Sequence, residues 1–288
     1  MSAAKISDEL KQICLKRIGA DQLFVPTIPT VVGRVQEILR DGESGLKRAS
    51  EVFEQEPFLA ARALRLAGGN AASVGGRRVT LADALNRLGP RGVKQLLSEA
   101  TSQKVHVSRD PEIAAALRKV WEHAVAVGSL ARDVLALSGQ PDSEAAYLAG
   151  LLHDVGKPVV ASLLLEAERQ TTELYNRSWI PSAEWVEVLG RTHRAVGLAI
   201  AEKWQFPEQV VRCMQENLEY DNADRTSLAN AVAFANALAK KTGVYVGPID
   251  SEDVDAVVMI GRSLIGVNDE VLKTLTKGLR DRVGGLFA

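Results

Sequence analysis

Cysteine is scarce in this 288-residue chain: Cys14 and Cys213 stand far apart, and there is no Cys-x-x-Cys spacing. That excludes a disulfide framework and a thiolate zinc site, and it fits a reducing compartment with two buried or idle thiols. Aromatic residues make up only 5% of the sequence. Strict apolar–polar alternation is rare, which argues against a β-architecture. Neither sign of charge dominates, since 35 Lys and Arg against 36 Asp and Glu leave a net charge of −1. No global field therefore draws the chain to nucleic acid or to an anionic membrane. The apolar run from Pro158 to Leu165 is far shorter than the roughly 20 residues a membrane helix needs. The opening Met1-Ser2-Ala3-Ala4-Lys5 segment lacks the apolar centre of a signal peptide. A cytoplasmic protein without membrane contact is expected.

Helical periodicity fills the rest. Val31, Val35, Ile38 and Leu39 share one face of a helix over about 30–40. Pro57, Pro90 and Pro111 stand where first-turn prolines belong. A long helix over 111–137 carries the stripe Ile113, Leu117, Val120, Ala124, Val127, Ala131 and Val134. Further helices are predicted over 143–155, 158–176, 181–189, 192–204, 207–219, 226–241, 251–264 and 268–283. The fold class is all-α, a two-lobed helical bundle. The boundary falls in the short polar stretch from Val105 to Pro111, giving lobes of residues 1–105 and 110–288.

The sharpest chemical signal is Leu151-Leu152-His153-Asp154-Val155-Gly156-Lys157-Pro158. A His-Asp pair inside an apolar run is costly unless it is paired, hydrogen-bonded or metal-bound. An imidazole and a carboxylate turned to one point suit a divalent ion such as Zn, Mn, Fe or Mg. Lys157 then faces a phosphate or a second carboxylate. Of the four histidines, His123 lies at the edge of the 111–137 stripe, and His193 shares a face with Val196, Ile200 and Trp204. Taken singly, each is an ordinary core histidine; together they point to one shared site.

In that arrangement the second lobe resembles the HD superfamily of helical metal-dependent phosphohydrolases. Trp121-Glu122-His123 is similar to its first His, His153-Asp154 with Gly156-Lys157 to its His-Asp pair, and Thr192-His193-Arg194 to a following His helix. Cys213-Met214-Gln215-Glu216-Asn217 lacks the paired-His motif, and Asn236 stands where an Asp is expected. A neutral amide is a weaker ligand for a hard cation, and it cannot act as a base.

The first lobe narrows the likeness. The order Val25-Pro26-Thr27-Ile28-Pro29, Glu56-Pro57, Gly69-Asn70-Ala71, and Ala82-Asp83-Ala84-Leu85-Asn86-Arg87-Leu88-Gly89 resembles the HDOD domain, the HD-related output domain of bacterial signalling proteins. The resemblance covers about residues 20–240. It implies a regulatory interaction module, a protein partner in a signalling pathway, and no catalytic turnover. It also implies at most one divalent metal, on His123, His153 and Asp154 with Asn236 in the weakened position. His193 and Lys157 are then the groups that hold a phosphate or nucleotide ligand.

Two rivals remain in play. One is a working phosphohydrolase acting on a nucleotide or other phosphoester. The other is a nucleic-acid-binding regulator, because residues 77–99 form two short helices around Leu88-Gly89-Pro90 with Arg77, Arg78, Arg87, Arg91 and Lys94 against Asp83 and Glu99. The HDOD likeness already accounts for that segment, so nucleic acid is not the expected partner. A phosphate loop is excluded, since Gly150 and Gly156 are one residue too far apart and Pro158 replaces the Ser or Thr after Lys157.

Overall fold

The computed structural model describes residues 2–23, 29–41, 45, 48–69, 78–101, 108, 110–175, 179–215 and 220–286. Among these the chain forms helices and no strand. The expected lobe boundary falls largely outside the described residues, as do Val25, Asn70, Ala71, Arg77 and Asn217.

In chain order the helices are α1 (Ala3–Gly19), α2 (Pro29–Arg40), α3 (Ala49–Gln55), α4 (Pro57–Leu66), α5 (Leu81–Thr101), α6 (Pro111–Leu137) and α7 (Ser143–Leu152). There follow α8 (Gly156–Tyr175), α9 (Ser182–Lys203), α10 (Glu208–Arg212), α11 (Leu228–Lys241), α12 (Ser251–Ile265), α13 (Asp269–Thr276) and α14 (Leu279–Gly284). The long helix α6 is the spine. Asp110 caps it by accepting from the backbone N–H of Glu112 at 2.8 Å and of Ile113 at 3.3 Å, with Pro111 at the first turn. Along it pack α7 and α11, while α9, α13 and α14 touch it at other points. The first helix, α1, lies against α8 and α9, where Arg17 bonds Glu166 at 3.0 Å.

The helix predicted over 207–219 ends already at Arg212, and two other differences from the predicted helices have local causes. Residues 182–203 form one helix rather than two, because Gly190 takes a helical place on the exposed face and nothing caps or breaks the chain there. Residues 268–283 divide into α13 and α14, because Gly278 adopts a left-handed φ of 63°. Within α5, Gly89 has φ 63° and ψ 176°, so two short helices meet at a kink at Gly89-Pro90, as expected. By length and composition the segment 143–173 could cross a bilayer, but 89% of its most apolar stretch is buried inside the protein. Both thiols are buried, and burial pushes Cys14 up to about 11 and Cys213 up to about 12, so neither is a nucleophile at neutral pH.

Backbone meets backbone where α6 crosses α7. A Cβ on Gly150 would lie 2.8 Å from the Gly128 Cα and 2.9 Å from the Val127 carbonyl oxygen. The start of α8 meets α9 as closely, for a Cβ on Gly156 would stand 1.9 Å from the His193 carbonyl oxygen and 2.7 Å from the Gly197 nitrogen. Helices pack this tightly only where side chains are missing. Gly150→Ala and Gly156→Ala should each lower unfolding free energy by about 1–3 kcal/mol in urea titrations. Gly190→Ala, with nothing within 4 Å, should instead raise it by about 0.5–1 kcal/mol. Equal effects at the three positions would show that the close crossings do not govern stability.

Candidate functional site

The two crossings bring four side chains to one point. His153 and Asp154 stand at the turn that ends α7, His123 is on α6, and His193 is on α9. Asp154 is the hub. Its Oδ2 lies 2.6 Å from Lys157 Nζ, 3.2 Å from His153 Nε2 and 3.7 Å from His123 Nε2, while its Oδ1 lies 3.3 Å from His193 Nε2. His123 is 1% and Lys157 2% exposed, so this is interior chemistry.

Each imidazole is aimed by a backbone carbonyl. His123 Nδ1–H donates to Val244 at 2.7 Å, His153 Nδ1–H to Gly150 at 2.7 Å, and His193 Nδ1–H to Gly190 at 2.8 Å. A carbonyl only accepts, so each Nδ1 carries the proton and each Nε2 is turned toward Asp154. Such backbone-held imidazoles are the usual support of metal-ligating histidines.

Charge is arranged to keep the carboxylate ionised. Burial alone would raise the Asp154 carboxyl, but His153, Lys157 and His193 around it more than reverse this and hold it well below the ordinary carboxylate range. Burial drives His123 the other way, and the Lys157 charge adds to it, so its imidazole stays neutral well below the ordinary value. His123 Nε2 and His153 Nε2 are buried without a hydrogen-bond partner. Asn236 lies on α11, which packs on α6 and α7, and its Oδ1 is likewise buried without a partner.

The donor set suits a divalent ion. Ligand atoms of His123, His153 and Asp154 lie within 4.8 Å of one another. Two imidazole nitrogens, one carboxylate oxygen and orphaned acceptors aimed inward match what such an ion needs. Lys157 opposes it by placing a positive charge on the same carboxylate.

Of the sequence-predicted residues, His123, His153, Asp154, His193 and Lys157 thus come together. The basic residues of 77–99 do not join them. Arg78 is taken up by Asp142 at 3.3 Å and Asp224 at 3.7 Å, Arg87, Arg91 and Lys94 are exposed on α5, and Arg77 lies outside the described residues. Sequence reasoning missed Tyr245. Its ring is edge-on to His123 with centroids 5.1 Å apart, and Lys157 Nζ and Lys240 Nζ lie 4.6 and 5.1 Å from its centroid. The clue available was an aromatic residue between two glycines, Gly243 and Gly247.

The neutrality of His123 makes stability depend on pH. The unfolded chain binds a proton near the ordinary 6.5 that the folded chain refuses until a lower pH. Its contribution is therefore complete above pH 6.5 and falls as the pH drops below that value, by up to about 1.4 kcal/mol per pH unit. Asp154 adds a further loss below its ordinary 3.8. Denaturant titrations from neutral pH downward should show the first fall, and His123→Gln should remove that part of it. An unchanged slope in the variant would place the effect elsewhere.

Comparison with known proteins agrees with this fold. A protein of Treponema pallidum (strain Nichols) with no assigned role is 26% identical over 216 residues, which cover 74% of this chain. The chain spans 41% of that relative's length. The solved structure of the MmoQ response regulator of Methylococcus capsulatus superposes with a TM-score of 0.59 at 18% identity, over 87% of this chain and 97% of that one. A Shewanella amazonensis protein, provisionally named a metal-dependent phosphohydrolase, matches with a TM-score of 0.50 at 18% identity, over 98% and 99%. These structural likenesses show a shared fold. The family model of the HDOD domain matches residues 25–220, more than half of the sequence, and with the His–Asp centre in place the chain belongs to the HDOD family.

Proposed function

We propose that this chain is a regulatory interaction module of a bacterial signalling pathway, built as lobes 1–105 and 110–288, with a His–Asp centre that does not turn over substrate. One observation carries the reading. Among the described residues the centre holds a single carboxylate, Asp154, and the Lys157 ammonium already sits 2.6 Å from it. Hydrolysis at such a centre needs a strongly held ion and a free base for water. Here the carboxylate is shared with an ammonium, and on the likeness to the HD pattern Asn236, whose Oδ1 is buried without a partner, would offer an amide in place of a second carboxylate. The naming of MmoQ as a response regulator supports a signalling role. The partner expected is another protein of the pathway, with a nucleotide as the small ligand.

The second reading, a metal-dependent phosphohydrolase, is favoured by the unpartnered Nε2 atoms of His123 and His153. An ion on His123, His153 and Asp154 would supply a Lewis acid there.

The test compares wild type with His153→Ala and Asn236→Asp. Wild type should not hydrolyse p-nitrophenyl phosphate or bis(p-nitrophenyl) phosphate with added Mg, Mn, Fe, Ni or Zn. Turnover in wild type that disappears in His153→Ala would sink the regulatory reading. Asn236→Asp should bind Mn or Zn about tenfold more tightly by calorimetry, since it adds the missing carboxylate.

A further inference from the structure

Lys240 is an ammonium in an awkward place. It is half-buried at the end of α11, and among the described residues it makes no ion pair or hydrogen bond. Among the described residues its close partner is the face of Tyr245, and that ring also carries Lys157 at 4.6 Å. Arg194, half-buried beside His193 on α9, adds a third positive charge that acts on Lys240 and likewise has no ion pair among the described residues. The acids whose fields reach Lys240 are Asp154, already taken up by Lys157, and Asp253, which forms no ion pair with it. A half-buried cation is costly without a partner, and a tyrosine face is a weak one. Burial and the Lys157 and Arg194 charges accordingly push the Lys240 ammonium below its ordinary value.

We propose that Lys240, with Lys157 across the same ring, forms a binding site for a phosphoryl anion, and that the Tyr245 ring is a displaceable stopper filling it. Charge-assisted hydrogen bonds from ammonium groups to phosphoryl oxygens are stronger than a cation on a neutral ring, so a suitable anion displaces the ring. The chain is built to allow this. Tyr245 lies between Gly243, with φ 80°, and Gly247, with φ 120°, so left-handed glycines flank it on both sides. Gly243 and Val244 also line a cleft of about 700 Å³ bordered by Arg118 and Arg280, so the turn has open space beside it. The Val244 carbonyl can keep its bond to His123 while the Tyr245 side chain swings out. The proposal stands whether or not His123, His153 and Asp154 hold an ion.

The test uses the full chain in metal-free buffer with chelator, titrated with inorganic pyrophosphate by calorimetry. Tyr245→Ala should bind at least tenfold more tightly than wild type, and Tyr245→Phe, which keeps the ring, should behave as wild type. Adding Lys240→Met to Tyr245→Ala should weaken binding at least tenfold. Equal affinity of wild type and Tyr245→Ala, indifference to Lys240→Met, or no binding in any protein would overturn the proposal. Thermal melting gives a check that does not need Tyr245→Ala to fold: pyrophosphate should raise the Tm of wild type and not that of Lys240→Met, and equal shifts would overturn it. ADP alongside pyrophosphate separates the sources of the anion. Tighter binding of ADP identifies a nucleotide and equal or weaker binding the inorganic ion, each supporting the site provided Lys240→Met loses both.

Discussion

The His–Asp centre depends on two places where helices touch with no side chain between them. Gly150 against Gly128 lets α7 lie on α6, and Gly156 against the His193 carbonyl and Gly197 lets α8 begin on α9. These four glycines set the distances among His123, His153, Asp154 and His193. Gly150 serves twice, because its carbonyl also aims His153. A methyl group at either crossing would separate the helices by more than the few tenths of an ångström that such ligand geometry tolerates.

Once assembled, the centre is an electrostatic problem before it is a chemical one. A carboxylate 14% exposed at the side chain is stabilised by one ammonium, with imidazoles held in fixed orientation around it. Buried ion pairs of this kind seldom add net stability, because desolvation offsets the attraction. A chain that needed only to fill this volume would be as stable with apolar side chains. On the regulatory reading proposed above, the polar centre is retained for what it would bind, and the orphaned Nε2 atoms and the Lys240 ammonium are the groups left for an occupant.

Much of this was legible beforehand, for definite physical reasons. The stripe on α6 and the adjacency of His153 and Asp154 follow from periodicity and from the cost of a carboxylate in an apolar run, and the likeness to HD and HDOD sequences joined His123 and His193 to them. Continuity of α9 through Gly190 was not legible, because glycine breaks a helix only when a cap or a left-handed turn accompanies it. Arg78 read as a candidate phosphate contact, yet it is spent on Asp142 and Asp224, which are distant in sequence. Tyr245 and Lys240 escaped for the same reason: their meaning lies in a contact made across a turn, and neither periodicity nor spacing encodes it.

The same helices that carry the centre also hold the first half of the chain. On α6, Trp121 lies two residues from His123 and donates its Nε1–H to the buried Glu56 carboxylate at 2.7 Å. Tyr147 on α7, which leads into His153, donates its hydroxyl to the Glu54 carbonyl at 2.7 Å. Beyond α9, Trp204 packs on Phe58 with centroids 5.6 Å apart and under the Arg65 guanidinium at 5.1 Å. Gly69 comes so close to the Gln205 carbonyl that a Cβ there would stand 2.3 Å from its oxygen. None of α6, α7 or α9 can move relative to the centre without disturbing an anchor on the first half. A packed interior passes such displacements on rather than absorbing them, because it has few voids to take them up. An occupant of the centre would thereby act on the surface the first half presents, as the regulatory reading proposed above requires.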